Sequence, residues 1–193
     1  MRSLIYGYGD TGKSFERYLK DKKIDFDIFD LNIAEHNQNY NFEDFDQILC
    51  SPGVPKDIFE NIKSQNINTF TDVDIFFNED KSVKIGITGT NRKSTTAFHL
   101  HQLFNNYKPS NLVGNIGNTM LDFINNGKEF SIIELSSFQL DKMNQNRLDF
   151  GILLNIEEDN LDLESIIREL EAELSEEEGF DGDTVEELSL IHI

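Results

Sequence analysis

A glycine-rich segment in the middle of the chain has the composition of a phosphate-binding loop. Residues 89–94 read Gly-Thr-Asn-Arg-Lys-Ser and stand between an apolar run and a helix-like segment. Backbone N–H groups of such a loop point at a polyphosphate, and the Lys93 ammonium adds a compact positive charge. A hydroxyl on Ser94 or Thr95 can ligate Mg²⁺. The segment therefore predicts a site for a nucleoside triphosphate.

The residue before this lysine departs from the usual form of the loop, which has glycine there. Arg92 occupies the position. Glycine usually serves a special backbone geometry or a close approach of phosphate, and a Cβ interferes with both. Arg92 is therefore expected to strain or block the loop. The alternative is that its guanidinium itself pairs with phosphate.

A second glycine pattern lies near the start of the chain. Gly7, Gly9 and Gly12 are spaced as G-x-G-x-x-G between a strand-like run and a helix-like segment, which favours a nucleotide-type ligand. Asp30 follows at the end of the next predicted strand, where its carboxylate can reach a ribose or a base. The pattern fits NAD and a nucleotide sugar alike. The plain alternatives are a tight turn without a ligand and, for Asp30, a solvated strand end.

Short apolar runs alternate with amphipathic segments along the chain, which is typical of βα units around parallel sheets. Strands are predicted at residues 3–7, 26–29, 47–50, 83–88, 131–135 and 150–155. Helices are predicted at residues 12–20, 56–64 and 93–104, and the polar residues 78–82 are predicted to be a linker. The fold class is therefore expected to be α/β.

The net charge of −19 is unevenly distributed. Residues 157–193 hold 15 acidic residues and one basic residue, which leaves 21 acidic and 16 basic residues in the rest. This balance gives no indication of a nucleic-acid-binding surface. Residues 163–193 are expected to form an acidic helix followed by a disordered or non-native tail. A single cysteine, Cys50, and the absence of an apolar run of about 20 residues predict a cytoplasmic protein without a membrane span.

Three further motifs indicate which known family the sequence resembles. They are Ser-Pro-Gly at 51–53, Gly-Asn-Ile-Gly at 114–117 and Glu-Leu-Ser-Ser-Phe-Gln-Leu at 134–140. Together with the phosphate loop they resemble the Mur ligase family, and the third motif resembles its D-glutamate-adding branch. The likeness extends to about residue 162. It departs from the family at Asn160 and Leu163, where histidine and arginine are usual.

The resemblance implies a Rossmann-like UDP-sugar-binding domain at residues 1–80 and part of a P-loop-type central ATP-binding domain at residues 81–162, both with parallel sheets. It also implies a monomer. The family's third domain and its carbamylated lysine have no counterpart in the sequence, so the chain is expected to be an incomplete fragment.

The implied reaction joins D-glutamate to UDP-N-acetylmuramoyl-L-alanine through an acyl phosphate, with ATP and Mg²⁺, in peptidoglycan precursor synthesis. The resemblance assigns ATP to Gly89, Thr90, Asn91, Arg92, Lys93, Ser94 and Thr95. It assigns the UDP-sugar substrate to Asp10, Thr11, Asp30, Gly53, Asn115 and Gln139. Lys93 and Glu134 are implied to be catalytic, and Ser94 and Glu134 to hold the metal. The plain alternative for Glu134 is a cap on the next helix.

Two functions of other classes compete with this interpretation. One is a non-catalytic module that binds a nucleotide sugar. The other is an NAD domain of the oxidoreductase type, which only the first glycine pattern supports. The phosphate loop and residues 134–139 argue against the NAD domain.

Overall fold

The computed structural model describes residues 1–156, which form two four-stranded parallel sheets with flanking helices. The strands are β1 (Arg2–Tyr6), β2 (Asp25–Phe29), β3 (Gln47–Cys50), β4 (Thr69–Phe70), β5 (Val83–Thr88), β6 (Ser110–Gly114), β7 (Phe130–Glu134) and β8 (Phe150–Leu153). The helices are α1 (Asp10–Asp21), α2 (Lys56–Gln65), α3 (Asp72–Glu79), α4 (Lys93–Asn105) and α5 (Ser137–Leu140). Short 3₁₀ helices occupy Phe42–Asp44 and Met120–Phe123. The predicted α/β class with parallel sheets is confirmed.

The first sheet has the strand order β2-β1-β3-β4. Successive side chains of a strand point to opposite faces, so the neighbours Leu4 and Ile5 enter different cores. Ile5 packs in the cluster that contains Phe15 of α1, and Leu4 packs in the cluster that contains Phe59 of α2. Both faces of the sheet are therefore covered, as expected of a Rossmann-like unit.

The second sheet has the strand order β6-β7-β5-β8. Ile85 and Ile87 of β5 pack with Ile132 of β7 and with Ala97 of α4, so α4 covers one face of this sheet. Ile87 is in register with Glu134, the last residue of β7. Paired residues of parallel strands point to the same face, which places the Glu134 side chain on the side of α4.

The other face of the second sheet shares a core with the first sheet. Val113 and Ile133 from the second sheet belong to the same buried cluster as Ile5 and Leu49 from the first. Phe76 of α3 is a fully buried member of this cluster. The two sheets are thus held together by apolar contacts as well as by the chain that connects them.

The connection between the sheets is more ordered than the predicted linker at residues 78–82. Helix α3 extends through Glu79, so the first two residues of that linker are helical, and the prediction was wrong there. Asp80 is buried and accepts hydrogen bonds from the N–H groups of Ser82 and Asn125, at 3.0 and 2.8 Å. A carboxylate that accepts several hydrogen bonds fixes the local backbone. The domain boundary at residues 80 and 81 stays a prediction.

Local signals explain where the helices begin and end. Thr71 caps α3 in a reciprocal capping box with Asp74, and Ser136 caps α5 in the same way with Gln139. Helix α1 ends before Lys23, which has a left-handed backbone with φ of 56°. No helix within residues 1–156 is long and apolar enough to cross a membrane. The expected acidic helix and tail at residues 163–193 lie outside the described residues.

Candidate nucleotide sites

The first glycine pattern lies at the carboxyl edge of the first sheet. Gly7, Asp30 and Ser51 directly follow β1, β2 and β3, and the carboxyl ends of parallel strands share one edge. In open α/β sheets, ligands bind at this edge, outside the strand ends.

A cavity of about 360 Å³ opens there. Its walls are formed by residues 6–11, 29–32, 51–55 and Ile58. Four of the predicted substrate residues, Asp10, Thr11, Asp30 and Gly53, line this one cavity, although they come from three separate segments. The volume lies within the range of small-molecule sites.

Asp30 has a structural task at the cavity rim. One carboxylate oxygen accepts the N–H of Tyr8 at 2.7 Å, and the other accepts the N–H of Asn32 at 2.8 Å. The carboxylate therefore ties the glycine loop after β1 to the turn after β2. This excludes the alternative of a merely solvated strand end.

The glycine loop requires glycine at one position for space. A Cβ on Gly12 would lie 2.3 Å from the carbonyl oxygen of Gly7, which no side chain tolerates. That carbonyl also accepts the Ser51 hydroxyl at 2.7 Å. The contact joins the loop to the turn after β3. Ser51 was not predicted as a site residue, although its place after a strand could have indicated it.

Tyr8 forms an aromatic wall of the same cavity. Its hydroxyl donates to the carboxylate of Glu16, and its ring lies edge-on to His36 with centroids 5.2 Å apart. The hydrogen bond to Glu16 and, secondarily, burial raise the pKa of Tyr8. The phenol is therefore uncharged at neutral pH, and its ring is held in place by both contacts.

The phosphate loop connects β5 to the start of α4, as predicted. The Lys93 ammonium donates to the carbonyl oxygens of Gly89 and Thr90, at 2.6 and 2.9 Å, so the lysine lies over the loop. Ser94 and Thr95 are exposed in the first turn of α4. The first N–H groups of a helix have no acceptor within it and favour an anion.

Arg92 has the left-handed backbone that the missing glycine would favour. Its φ is 65° and its ψ is 13°, directly before α4. For a residue other than glycine this conformation costs about 1–2 kcal/mol. The expected backbone geometry is thus present, and Arg92 adopts it against its preference.

Asn155, which lies two residues after β8, stabilises the phosphate loop. Its side chain accepts the N–H of Asn91 at 2.7 Å and donates to the Asn91 carbonyl at 3.1 Å, and its own carbonyl accepts the N–H of Thr90 at 2.9 Å. The side-chain amide therefore pairs with the loop much as a neighbouring strand would. Asn155 was not predicted as a site residue.

Glu134 is a buried carboxylate with one open acceptor. It is 1% exposed, and its Oε1 accepts from the Asn115 side chain at 3.3 Å. Among the described residues, Oε2 has no hydrogen-bond partner. A buried, unsatisfied oxygen on a carboxylate is costly, and a cation would offset that cost. The capping alternative for Glu134 is wrong because Ser136 caps α5.

The loop at residues 114–117 packs directly against the end of β7. A Cβ on Gly114 would lie 2.2 Å from the carbonyl oxygen of Glu134, and that oxygen accepts the N–H of Asn115 at 2.9 Å. Glycine at 114 therefore allows Asn115 to reach Glu134. The structure brings these two predicted site residues together.

Gln139 is placed differently from the other predicted substrate residues. It is 3% exposed, and its Oε1 accepts the N–H and the hydroxyl of Ser136, both at 3.1 Å. These contacts form the cap of α5. A substrate role for Gln139 stays a prediction, and its capping role is the one that its contacts support.

Known proteins are similar to this chain over most of its length. No protein-family model matches the chain. The chain is 36% identical over 171 residues to a protein named UDP-N-acetylmuramoylalanine--D-glutamate ligase from Francisella tularensis subsp. novicida (strain U112), and equally to one of the same name from subsp. tularensis (strain WY96-3418). Each match covers 82% of this chain and 39% of the relative's length.

These relatives are ligases by name, and the chain spans about two-fifths of their length. The match falls in the N-terminal part of the relatives. The chain is therefore similar to the N-terminal part of proteins named UDP-N-acetylmuramoylalanine--D-glutamate ligase.

Proposed function

We propose that the chain is the front part of an ATP-dependent ligase that adds D-glutamate to UDP-N-acetylmuramoyl-L-alanine in peptidoglycan precursor synthesis. In this reaction the γ-phosphoryl group of ATP passes to the alanyl carboxylate, which gives an acyl phosphate and ADP. The amine of D-glutamate then attacks the acyl carbon and displaces phosphate.

The main support for this proposal is the cavity of the first sheet. It gathers Asp10, Thr11, Asp30 and Gly53 around the start of α1. The positive end of a helix and its free N–H groups suit the pyrophosphate of a UDP sugar. Asp30 offers acceptor oxygens at the rim for a ribose hydroxyl or a base.

The second sheet would hold ATP at its own carboxyl edge. Residues 89–92 and the first turn of α4 would surround the phosphates, with Lys93 moving from its loop carbonyls to the transferring group. Mg²⁺ held by Ser94 and Glu134 would offset negative charge on that group. Glu134 fits such an ion because its Oε2 is buried without a partner in the described part of the chain.

The remaining ligands of such a Mg²⁺ ion would be phosphate oxygens and water, as is common for this ion. No group of three His, Cys, Asp or Glu side chains within residues 1–156 could hold a metal by itself. A site of this kind therefore depends on the nucleotide for most of its ligands.

The ligase proposal is tested by ADP release from the full chain with ATP, Mg²⁺, UDP-N-acetylmuramoyl-L-alanine and D-glutamate. Release that requires both substrates and is lost in Glu134→Gln supports an active ligase. Absence of turnover in a chain that still binds the UDP sugar rejects catalysis by this chain.

A second candidate function is binding of the nucleotide sugar without catalysis. Arg92 favours it, because its side chain stands where a phosphate loop normally has none. In that case the chain binds the UDP sugar with unchanged affinity whether or not ATP is present.

We also propose a cytoplasmic monomer without nucleic-acid or membrane partners. The substrates of the proposed reaction are a nucleotide, a nucleotide sugar and an amino acid, all of them water-soluble. The 21 acidic and 16 basic residues of positions 1–156 supply no excess of positive charge for a polyanion surface.

A further inference from the structure

Lys142 reaches from the second sheet into the wall of the first sheet's cavity. It lies two residues after the end of α5 and is 3% exposed. Its ammonium donates to the carbonyl oxygen of Pro52 at 2.7 Å and also to that of Val54. Pro52 and Val54 both line the cavity.

Burying an ammonium costs free energy unless the charge is hydrogen-bonded. Burial lowers the pKa of Lys142, as desolvation disfavours the charged form. An uncharged side chain of the same length would fill the space without that penalty but would leave two carbonyl oxygens without this donor. The ammonium is therefore suited to holding these two carbonyls in one arrangement.

The turn that Lys142 holds is fixed on its other side by the glycine loop. Ser51 donates through its N–H to the carbonyl of Tyr6 at 2.9 Å and through its hydroxyl to that of Gly7 at 2.7 Å. Residues 51–54 are thus attached to β1 at one end and to Lys142 at the other. Removal of Lys142 would free the end that faces the second sheet.

We propose that Lys142 is a positioning residue for the nucleotide-sugar cavity. Its ammonium fixes residues 52–54 and thereby sets the shape of the wall that receives the ligand. This inference rests on the proposed function for the identity of the ligand. The placement of the wall by Lys142 is a property of the protein that can be measured without any ligand.

The test compares three variants of the full chain. Lys142→Met keeps the aliphatic stem and removes the donors, and Lys142→Arg keeps a cation. Lys56→Met is the matched control, because Lys56 pairs with the neighbouring Asp141 at 2.6 Å but is not among the residues of the cavity wall. The measurements are hydrogen exchange of the backbone N–H groups within residues 51–55, which are those of Ser51, Gly53 and Val54 because the other two residues are prolines, and calorimetric affinity for UDP.

We expect Lys142→Met to speed exchange selectively at residues 51–55 and to weaken UDP binding about tenfold or more. Lys142→Arg should retain most of the affinity, and Lys56→Met should behave as the unmodified chain. Exchange that is unchanged at residues 51–55, or that rises equally throughout the chain, would overturn the positioning role.

Failure of the proposed function can be distinguished from failure of the positioning role of Lys142. If the unmodified chain does not bind UDP, the proposed function fails, and selective exchange at residues 51–55 still decides the role of Lys142. If Lys142→Met does not fold, Lys142→Gln, which keeps a shorter donor, takes its place in both measurements. Wild-type exchange and affinity in that variant would overturn the proposal.

Discussion

At the scale of single residues, Arg92 has the most direct bearing on the proposed chemistry. Its left-handed backbone is one that glycine adopts without strain. We predict that Arg92→Gly raises the free energy of unfolding by about 1 kcal/mol, because that strain is relieved. ATP affinity should rise in the same variant, since the side chain is removed from the loop. Urea denaturation and calorimetry measure the two effects.

Lys23 offers a matched control for Arg92. It has a similar backbone, with φ of 56°, but it lies at the end of α1. Lys23→Gly should give a comparable gain in stability and leave ATP affinity unchanged. A loss of ATP affinity in Arg92→Gly alone would support the alternative in which the guanidinium pairs with phosphate.

Asp72 makes stability depend on pH at the first turn of α3. Burial and, to a smaller extent, the neighbouring Asp74 raise its pKa from an ordinary value of 3.8 to about 6. Because the folded state holds the proton more tightly, this contribution to stability is complete below about pH 4 and lost as pH rises through 6. We predict that Asp72→Asn is more stable than the unmodified chain at pH 7, by about 2–3 kcal/mol.

That advantage should disappear at pH values below about 4, where the unmodified carboxyl is protonated in both states. Thermal unfolding of the two proteins across this pH range measures it. A gain that is the same at every pH would contradict the assignment to Asp72.

At the scale of elements, the turn from β1 into α1 is the most tightly constrained part of the cavity. A Cβ on Gly12 meets the backbone oxygen of Gly7, which cannot rotate away as a side chain can. We predict that Gly12→Ala lowers the free energy of unfolding by about 1–3 kcal/mol and abolishes UDP binding. Gly151→Ala is the control, because a Cβ there has no atom within 4 Å. Equal stability of the two variants would show that the turn is not so constrained.

Elements that form an apolar run or follow a recognisable loop could be predicted from the sequence, and elements without such a signal could not. The strands at β1, β3 and β5 are apolar runs with clear ends, and α4 follows an obvious loop. Strand β4 has two residues, and β6 begins with Ser110 and Asn111, so neither presents an apolar pattern. Helix α3 is eight residues long, and its first half contains two aspartates that serve its cap and first turn.

The residues of the candidate sites also differ in this way, because some have a signal in the sequence and others have none. Loops that follow strand ends carry recognisable motifs, so Gly12 and Lys93 could be found from spacing, whereas Glu134 was indicated by the family resemblance of residues 134–140. Lys142 and Asn155 act on segments about 90 and 64 residues away in the chain, respectively. No local pattern signals such contacts, because they depend on how the two sheets pack.

At the scale of the whole molecule, the two sheets are not independent units. They share a buried cluster that contains Ile5, Phe76 and Ile133, and the ion pair of Arg17 with Asp122 also joins α1 to the segment after β6. The carboxyl edges that carry the two predicted nucleotide sites therefore belong to one packed body. This arrangement suits a reaction in which two nucleotides must meet.

We propose above that the cavity of the first sheet receives a UDP sugar. The most direct measurement is a calorimetric titration of the full chain with UDP-N-acetylmuramoyl-L-alanine, with NADH as the competing ligand. We predict saturable binding of the UDP sugar at one site and no binding of NADH. Micromolar binding of NADH without any binding of the UDP sugar would contradict a UDP-sugar site in this cavity and favour an NAD domain.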